Sequence, residues 1–252
     1  MDLTIAVLTY NGESLLPDCL NSIWAQDIPC SWELLIVDDH STTPPQLLLP
    51  HRLVVHDRNK GNIAGTNTCF REAEGEWVLF VANDVRFHHD AVAHLWDHRH
   101  VHDISQPVLQ QPDYEIDNVG LRWVWPGYGM RVRRPGAKTD AFANTCVLMK
   151  KTTWWAVGGM HEGLGISHED VDFSLRAKAM GYTIGHCPKA WATHLMGQTI
   201  GKVVKKPLSP YYRAARRLTI LRNYTGLNRH LRLWATGLLD GVAARIGDRR
   251  VR

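Results

Sequence analysis

Short, wholly apolar runs alternate with segments of helical periodicity along the first third of the chain, and this alternation does most to narrow the folds open to it. Leu3–Thr9, Leu34–Val37, Leu53–Val55 and Trp77–Ala82 have strand length but lack the polar alternation of a strand with one wet face. Runs of that kind are covered on both sides. Between them Leu15, Leu16, Cys19, Leu20 and Ile23 recur at helical spacing, and Gly61-Asn62 opens a second helix that continues to Ala73. Buried strands joined by amphipathic helices predict an α/β fold, with a mostly parallel, Rossmann-like sheet sandwiched by helices. Ligands of such sheets gather beyond the carboxyl ends of the strands. There this chain carries Thr9-Tyr10-Asn11, Asp38-Asp39 and Asn83-Asp84.

Beyond Arg86 the pattern loosens. The stretch from Pro107 to Pro135 is rich in Gly, Pro and Trp and predicts loops or a hairpin. Phe142–Met149 predicts a strand, Thr152–Val157 and Ser167–Met180 helices, and Gly185–Ala190 a turn. Two more helices are expected at Tyr211–Asn223 and Arg229–Ile246. A chain of 252 residues suits one α/β body, placed at 1–205, with a helical extension at 206–252. Net charge is only +4, yet in the last fifty residues Lys and Arg far outnumber Asp240 and Asp248. So basic an end fits phosphates of a nucleotide, a lipid surface or a nucleic acid, and equally a solvated helix face. Five scattered cysteines without C-x-x-C spacing predict reduced thiols and no structural zinc. With no signal-peptide pattern and no apolar run of about 18–20 residues, the expected setting is cytoplasmic, at most peripheral at the inner face of a membrane.

Three groups of residues could carry chemistry. Asp84 ends a buried strand; an acid there suits a Mg²⁺ or Mn²⁺ that bridges substrate phosphates, or only caps a turn. Glu169 and Asp170 open a helix. Ser167-x-x-Asp170 has the spacing of a capping box, while an ionised Asp170 could take the proton of an attacking hydroxyl. Asp38 and Asp39 could accept hydrogen bonds from a base or a ribose, with Tyr10 placed to stack, or could simply shape the turn through Ser41. His88, His89, His94, His98, His100 and His102 suggest a metal site at first sight, but no H-E-x-x-H or cysteine partner accompanies them, which favours a solvated face.

Taken together these pieces resemble a family 2 glycosyltransferase of GT-A fold, rhamnosyltransferase-like, over about residues 3–200. Four motifs carry the resemblance: Val7-Leu8-Thr9-Tyr10-Asn11; Ile36-Val37-Asp38-Asp39-His40-Ser41; Arg58-Asn59-Lys60-Gly61-Asn62 leading through Gly75-Glu76-Trp77 to Asn83-Asp84; and Val157-Gly158-Gly159-Met160 followed by His168-Glu169-Asp170-Val171-Asp172. The resemblance implies that Thr9, Tyr10, Asn11, Asp38, Arg58, Gly61 and Asn83 hold a nucleoside-diphosphate sugar, a UDP- or dTDP-sugar. Asp84 and His194 would bind Mn²⁺ or Mg²⁺. Asp170 would be the base of an inverting transfer to a glycan or glycolipid hydroxyl in polysaccharide biosynthesis, and Glu169 would orient it or the acceptor. Trp154 and Trp155 are expected in the core or lining the acceptor cleft. One departure stands out: where the family often has Asp-x-Asp, this chain has Ala82-Asn83-Asp84. The rival readings are a nucleotidyltransferase, for which Asn11-Gly12-Glu13 is the wrong phosphate loop, and a sugar-nucleotide- or nucleic-acid-binding module without transfer. A transferase acting on a modified DNA base or a protein is a further alternative.

Overall fold

The computed structural model describes residues 1–46, 51–165, 167–195 and 209–249. The expected boundary at 205–206 and the basic residues Lys202, Lys205, Lys206, Arg250 and Arg252 lie outside them. The first half follows the predicted alternation: β1 (Leu3–Thr9), α1 (Leu16–Trp24), β2 (Trp32–Asp38), β3 (Arg52–Val55), α2 (Asn62–Glu72) and β4 (Trp77–Ala82). Then come β5 (Val85–Phe87), α3 (Ala91–Asp97), β6 (Ile104–Gln110), β7 (Ile116–Asn118), β8 (Leu121–Val124) and β9 (Tyr128–Arg131). The chain continues with β10 (Cys146–Lys150), α4 (Lys151–Val157), a 3₁₀ turn at Glu162–Leu164, α5 (Glu169–Ala179), β11 (Ile184–His194), α6 (Ser209–Asn223) and α7 (Gly226–Arg249).

The main sheet runs β3-β2-β1-β4-β10-β6-β11-β5, with β7 paired to β6. Its first four strands are parallel; β10 is antiparallel to both its neighbours, so the whole is a mixed sheet. Side chains alternate across a strand, and the burial divides accordingly. Ile5, Val7, Leu34, Ile36, Leu79 and Val81 pack with Cys19, Leu20 and Ile23 of α1 and Ala91 and Leu95 of α3 on one face. Ala6, Leu8, Leu35, Val37, Val78 and Phe80 pack with Ile63 and Phe70 of α2, Trp154 of α4 and Phe173 of α5 on the other. Trp154 lies stacked between Phe70 and Phe173, at 3.8 and 4.7 Å between ring centroids, and is wholly buried, whereas Trp155 faces solvent. Helix α2 comes close to β1 because residue 65 is glycine: a Cβ there would stand 2.4 Å from Leu8 Cδ1.

The stretch expected as loops or a hairpin divides in two. Its second part is indeed a hairpin, β8–β9. Its first part contributes β6, a wholly buried inner strand. Pro107 argues against an inner strand because it cannot donate to the ladder, but here its register partner is Cys187, where β11 bulges before resuming at Trp191 opposite Val108. The same bulge lies where the sequence suggests a turn at Gly185–Ala190; β11 runs on through it.

Candidate active site

The loops after β1, β2 and β4 meet at the carboxyl edge of the parallel strands. Asn11 takes a positive φ of 46°, a conformation Asn tolerates better than most residues. Its backbone N–H donates to Ser41 Oγ at 2.7 Å, and its side-chain oxygen accepts from the Thr42 N–H at 2.9 Å, lacing the first two loops together. Asn83 Nδ2 donates to Thr9 Oγ1 at 2.9 Å, joining β4 to β1. Gly12 covers that bond so closely that a Cβ would lie 2.3 Å from Asn83 Nδ2 and 2.4 Å from Thr9 Oγ1. Tyr10 stands half-buried beside them.

Both acids after β2 are buried and already engaged. The Asp38 carboxylate accepts from Ser41 Oγ and from the Ser41 N–H at 3.2 Å. Asp39 accepts from His56 Nδ1 at 2.7 Å and from the N–H groups of Lys60 and Gly61, each at 2.8 Å. Asp39 thus fixes the turn into α2, where Gly61 takes a φ of 87°. Arg58, Asn59, Lys60, Thr68, Arg71 and Glu162 line a cavity of about 430 Å³ on the outer side of α2.

Antiparallel pairing of β11 with β5 sets His194 opposite Val85, next to Asp84. His194 Nε2 is 3.5 Å from Asp84 Oδ2, and His194 Nδ1 is 3.1 Å from Asp117 Oδ2. Asp117 is wholly buried on β7 and also holds Asn118 Nδ2 at 3.0 Å and the Arg131 guanidinium. Burial by itself would lower the His194 pKa, but the hydrogen bonds and charges of Asp117 and Asp84 outweigh it and raise it to about 9. The Asp117 pKa is lowered: burial works the other way, and His194 and Arg131 overcome it. No motif marks Asp117; only the β7–β6–β11 pairing brings it to His194. Asp84 and His194 offer one carboxylate oxygen and one imidazole nitrogen on the same side, a donor set that suits Mn²⁺ or Mg²⁺ if substrate oxygens and water complete the shell. Only a neutral imidazole ligates, so an ion there must displace the Nε2 proton. Among the described residues no group of three His, Cys, Asp or Glu side chains is arranged to hold a metal, the histidines of residues 88–102 included. Of these, His88 Nε2 lies 3.0 Å from Thr193 Oγ1.

Glu169 and Asp170 open α5, but not through a capping box. The residue before the helix, His168, takes a left-handed φ of 65° without a side-chain cap, and Ser167 Oγ instead contacts His168 Nδ1 at 2.7 Å. Glu169 is buried and Asp170 half-buried. Asp170 accepts from the Val171 N–H at 2.7 Å and the Asn144 N–H at 3.4 Å, while Asn62 Nδ2 lies 3.5 Å from Glu169 Oε1. The carbonyl of Thr145, next to Asn144, accepts from the Ala82 N–H at 2.8 Å, so Asp170 is suspended beside the strand end that bears Asn83 and Asp84. Burial raises both carboxyl pKa values. The negative charge of Asp170 raises Glu169 further, whereas N–H donors and the charge of Arg131 restrain Asp170. Two adjacent acids so placed resist carrying two negative charges at once, and the N–H donors and Arg131 favour the charge on Asp170.

A parallel half-sheet with polar loops at its carboxyl edge, a carboxylate–histidine pair on one side and an acid pair on the other is the arrangement of a GT-A fold. The chain belongs to glycosyl transferase family 2, whose family model matches residues 4–155. It is 36% identical over 98 residues to the poly(ribitol-phosphate) β-N-acetylglucosaminyltransferase TarS of Staphylococcus aureus strain Mu50, covering 33% of this chain and 16% of that protein. It is 33% identical over 94 residues to the poly(ribitol-phosphate) β-glucosyltransferase of Bacillus spizizenii, covering 33% and 15%. The matched stretch thus spans about a sixth of the length of these relatives. In fold it is similar to GalNAc-T7 solved with UDP, GalNAc and Mn²⁺, at a TM-score of 0.63 and 15% identity, covering 77% of this chain and 44% of that one. It is also similar to TarS 1–349 solved with UDP-GlcNAc, at a TM-score of 0.59 and 21% identity, covering 92% and 70%.

Proposed function

We propose that this protein transfers a hexose or deoxyhexose from a nucleoside-diphosphate donor, a UDP-sugar before a dTDP-sugar, to a hydroxyl of a glycan or lipid-linked acceptor in the cytoplasm, with inversion at the anomeric carbon. The observation that carries the reading is the acid pair at the head of α5, suspended by Asn144 beside the strand end that bears Asp84. The UDP-GlcNAc of the TarS structure and the polymeric substrates named for the relatives support the donor and acceptor classes.

In this reading Thr9, Tyr10, Asn11, Asp38, Arg58, Gly61 and Asn83 form the donor side. The Thr9–Asn83 bond and the Asn11 laces keep those loops in place before the donor arrives. The acceptor oxygen attacks the anomeric carbon as the bond from that carbon to the diphosphate oxygen breaks, and Asp170 accepts the proton of the attacking hydroxyl. Burial disfavours a second negative charge beside the base, and Glu169 stands where it orients Asp170 or the acceptor. Mn²⁺ or Mg²⁺ on Asp84 and His194 would supply positive charge for the departing diphosphate. Residues 1–205 would form the catalytic body and 206–252 an extension packed on it.

The test pairs binding with turnover. Thermal shifts with UDP- and dTDP-sugars, with Mn²⁺ or chelator, should show a metal-dependent shift for one donor in wild type that is lost in Asp84→Ala; a donor at 100 times its Kd adds about 2.7 kcal/mol. Asp170→Asn should keep that shift and lose transfer. If no donor shifts either protein, the reading fails.

A further inference from the structure

The β8–β9 hairpin and the loop after it carry positive charge that the protein itself does not balance. Residues 118–139 hold Arg122, Arg131, Arg133, Arg134 and Lys138 and not one Asp or Glu. The acids on either side are already taken: Asp117 by Arg131 and His194, Asp140 by Arg122 and Lys178. Arg133, Arg134 and Lys138 remain. All three are exposed, and among the described residues their side chains enter no hydrogen bond or ion pair.

Strand register relates these cations to the candidate site. Trp123 stands opposite Gly129 and Leu121 opposite Arg131, so the four share one face of the hairpin. That face lies along the head of α5. The Trp123 ring meets His168 edge-on at 6.1 Å between centroids, a Cβ on Gly129 would lie 3.4 Å from Val171 Cγ2, and the charge of Arg131 is felt at Asp170. Pairing continues past β9, where the Val132 N–H donates to the Gly120 carbonyl at 2.9 Å and the Val119 N–H to the Val132 carbonyl at 2.7 Å. Arg133, two residues beyond Arg131, therefore extends the same face. The loop is fixed again at Gly136, whose N–H donates to His186 Nε2 at 2.9 Å, and the Ala137 N–H closes a turn on the Arg134 carbonyl at 3.1 Å. The unbalanced cations thus sit on a folded track that leads away from Asp170.

Like charges fixed near one another raise the local potential and draw anions, and arginine forks match phosphate and carboxylate oxygens alike. The donor side occupies the loops after β1, β2 and β4, which leaves the hairpin face to the acceptor. We propose that this face binds the acceptor, and that the acceptor is a chain with repeated anionic groups, phosphodiester or carboxylate. Arg133, Arg134 and Lys138 hold those groups while one hydroxyl of the chain reaches Asp170. The acceptor role rests on the transfer reading; the polyanion site stands without it.

Anisotropy of labelled poly(glycerol phosphate), polygalacturonate and neutral dextran with the whole chain, in the absence of donor, tests the site. The polyanions should bind, dextran should not, and salt should release them; the tighter polyanion names the anionic group. Arg133→Ser/Arg134→Ser/Lys138→Ser should bind it about tenfold or more weakly. Its melting temperature and its thermal shift with donor should stay at wild-type values, because all three side chains are exposed. In a transfer assay the same variant should raise the acceptor KM and keep kcat. No binding of either polyanion, unchanged binding by the triple variant, or a lowered kcat at constant acceptor KM would overturn the proposal. So would tighter binding of a single-stranded oligonucleotide that the triple variant loses, since the face would then be a nucleic-acid surface. Absence of any donor shift, with polyanion binding intact, would remove the transfer reading and leave the site.

Discussion

Glu169 and Asp170 are neighbours of nearly the same chemistry, and their surroundings separate them. Glu169 is buried beside a negative charge, while Asp170 has two backbone N–H donors and feels Arg131. Asp170→Asn keeps the shape and removes the proton acceptor, so turnover should fall by about 10²–10⁴ with donor affinity unchanged. Single-turnover kinetics beside a donor titration would show this; near-normal turnover would refute the base assignment. The raised Asp170 pKa also sets a direction: activity should fall with acid at a pH above the ordinary carboxylate range, because protonation silences the base. In the proposed mechanism Asp117 would act through His194, whose Nδ1 it holds at 3.1 Å. A carboxylate holding the far nitrogen of a metal-binding histidine is worth about 10–100-fold in metal affinity, so Asp117→Asn should weaken Mn²⁺ binding by that factor in a calorimetric titration. An unchanged affinity would reduce Asp117 to a partner of Arg131.

Between elements, Asp172 on α5 is the joint. Its buried carboxylate accepts from Arg176 Nε at 2.9 Å within α5, and from Arg222 Nε at 3.0 Å and Asn223 Nδ2 at 2.9 Å on α6. Several arginines of the basic end are therefore not a loose charge field but ties to the body of the protein. Asp172→Ala leaves two cations facing each other without their anion and should cost about 3 kcal/mol, read as a lower denaturant midpoint together with faster proteolysis of α6 and α7. Full stability in that variant would mean that apolar contacts such as Ala215 in the α2–α4–α5 cluster carry the packing of α6.

For the whole molecule, two half-buried histidines set opposite pH limbs. His194, raised to about 9, holds its proton more tightly folded than unfolded. Its contribution is complete below the ordinary value of 6.5 and is lost as pH rises through the folded value. Raised Glu169 works in the same direction, because ionising it in its buried place is unfavourable. His168, lowered to about 4 by burial and by the charge of Arg216, has the reverse sign and withdraws stability as pH falls below 6.5. Between about pH 4.5 and 6.5 His168 and Glu169 therefore oppose one another, and above 6.5 His194 and Glu169 together draw the melting temperature down. His194→Gln should flatten the alkaline limb, a change on the order of 3 kcal/mol between about pH 6.5 and 9. Calorimetry across that range checks it, and an unaltered limb would remove His194 as its source.

How much was legible beforehand follows from the range of each interaction. Leu3–Thr9 and Trp77–Ala82 declare buried strands by their own composition, and Thr9, Asp38 and Asp84 then fall at strand ends by counting. Glu169 and Asp170 are equally visible, since a helix start depends on a few adjacent residues. Strand β6 was obscured by Pro107, because the bulge in β11 that accommodates it lies far along the chain, after Cys187. Asp117 was invisible for the same reason: a carboxylate becomes the partner of a histidine only when sheet pairing sets it there. The raised pKa values of the acid pair also required the fold, since they come from what buries each carboxyl and what donates to it. Local pattern determined the elements and the acids at their ends. Pairing, burial and the field of distant charges, which exist only once the chain has closed on itself, decided which of those residues work together.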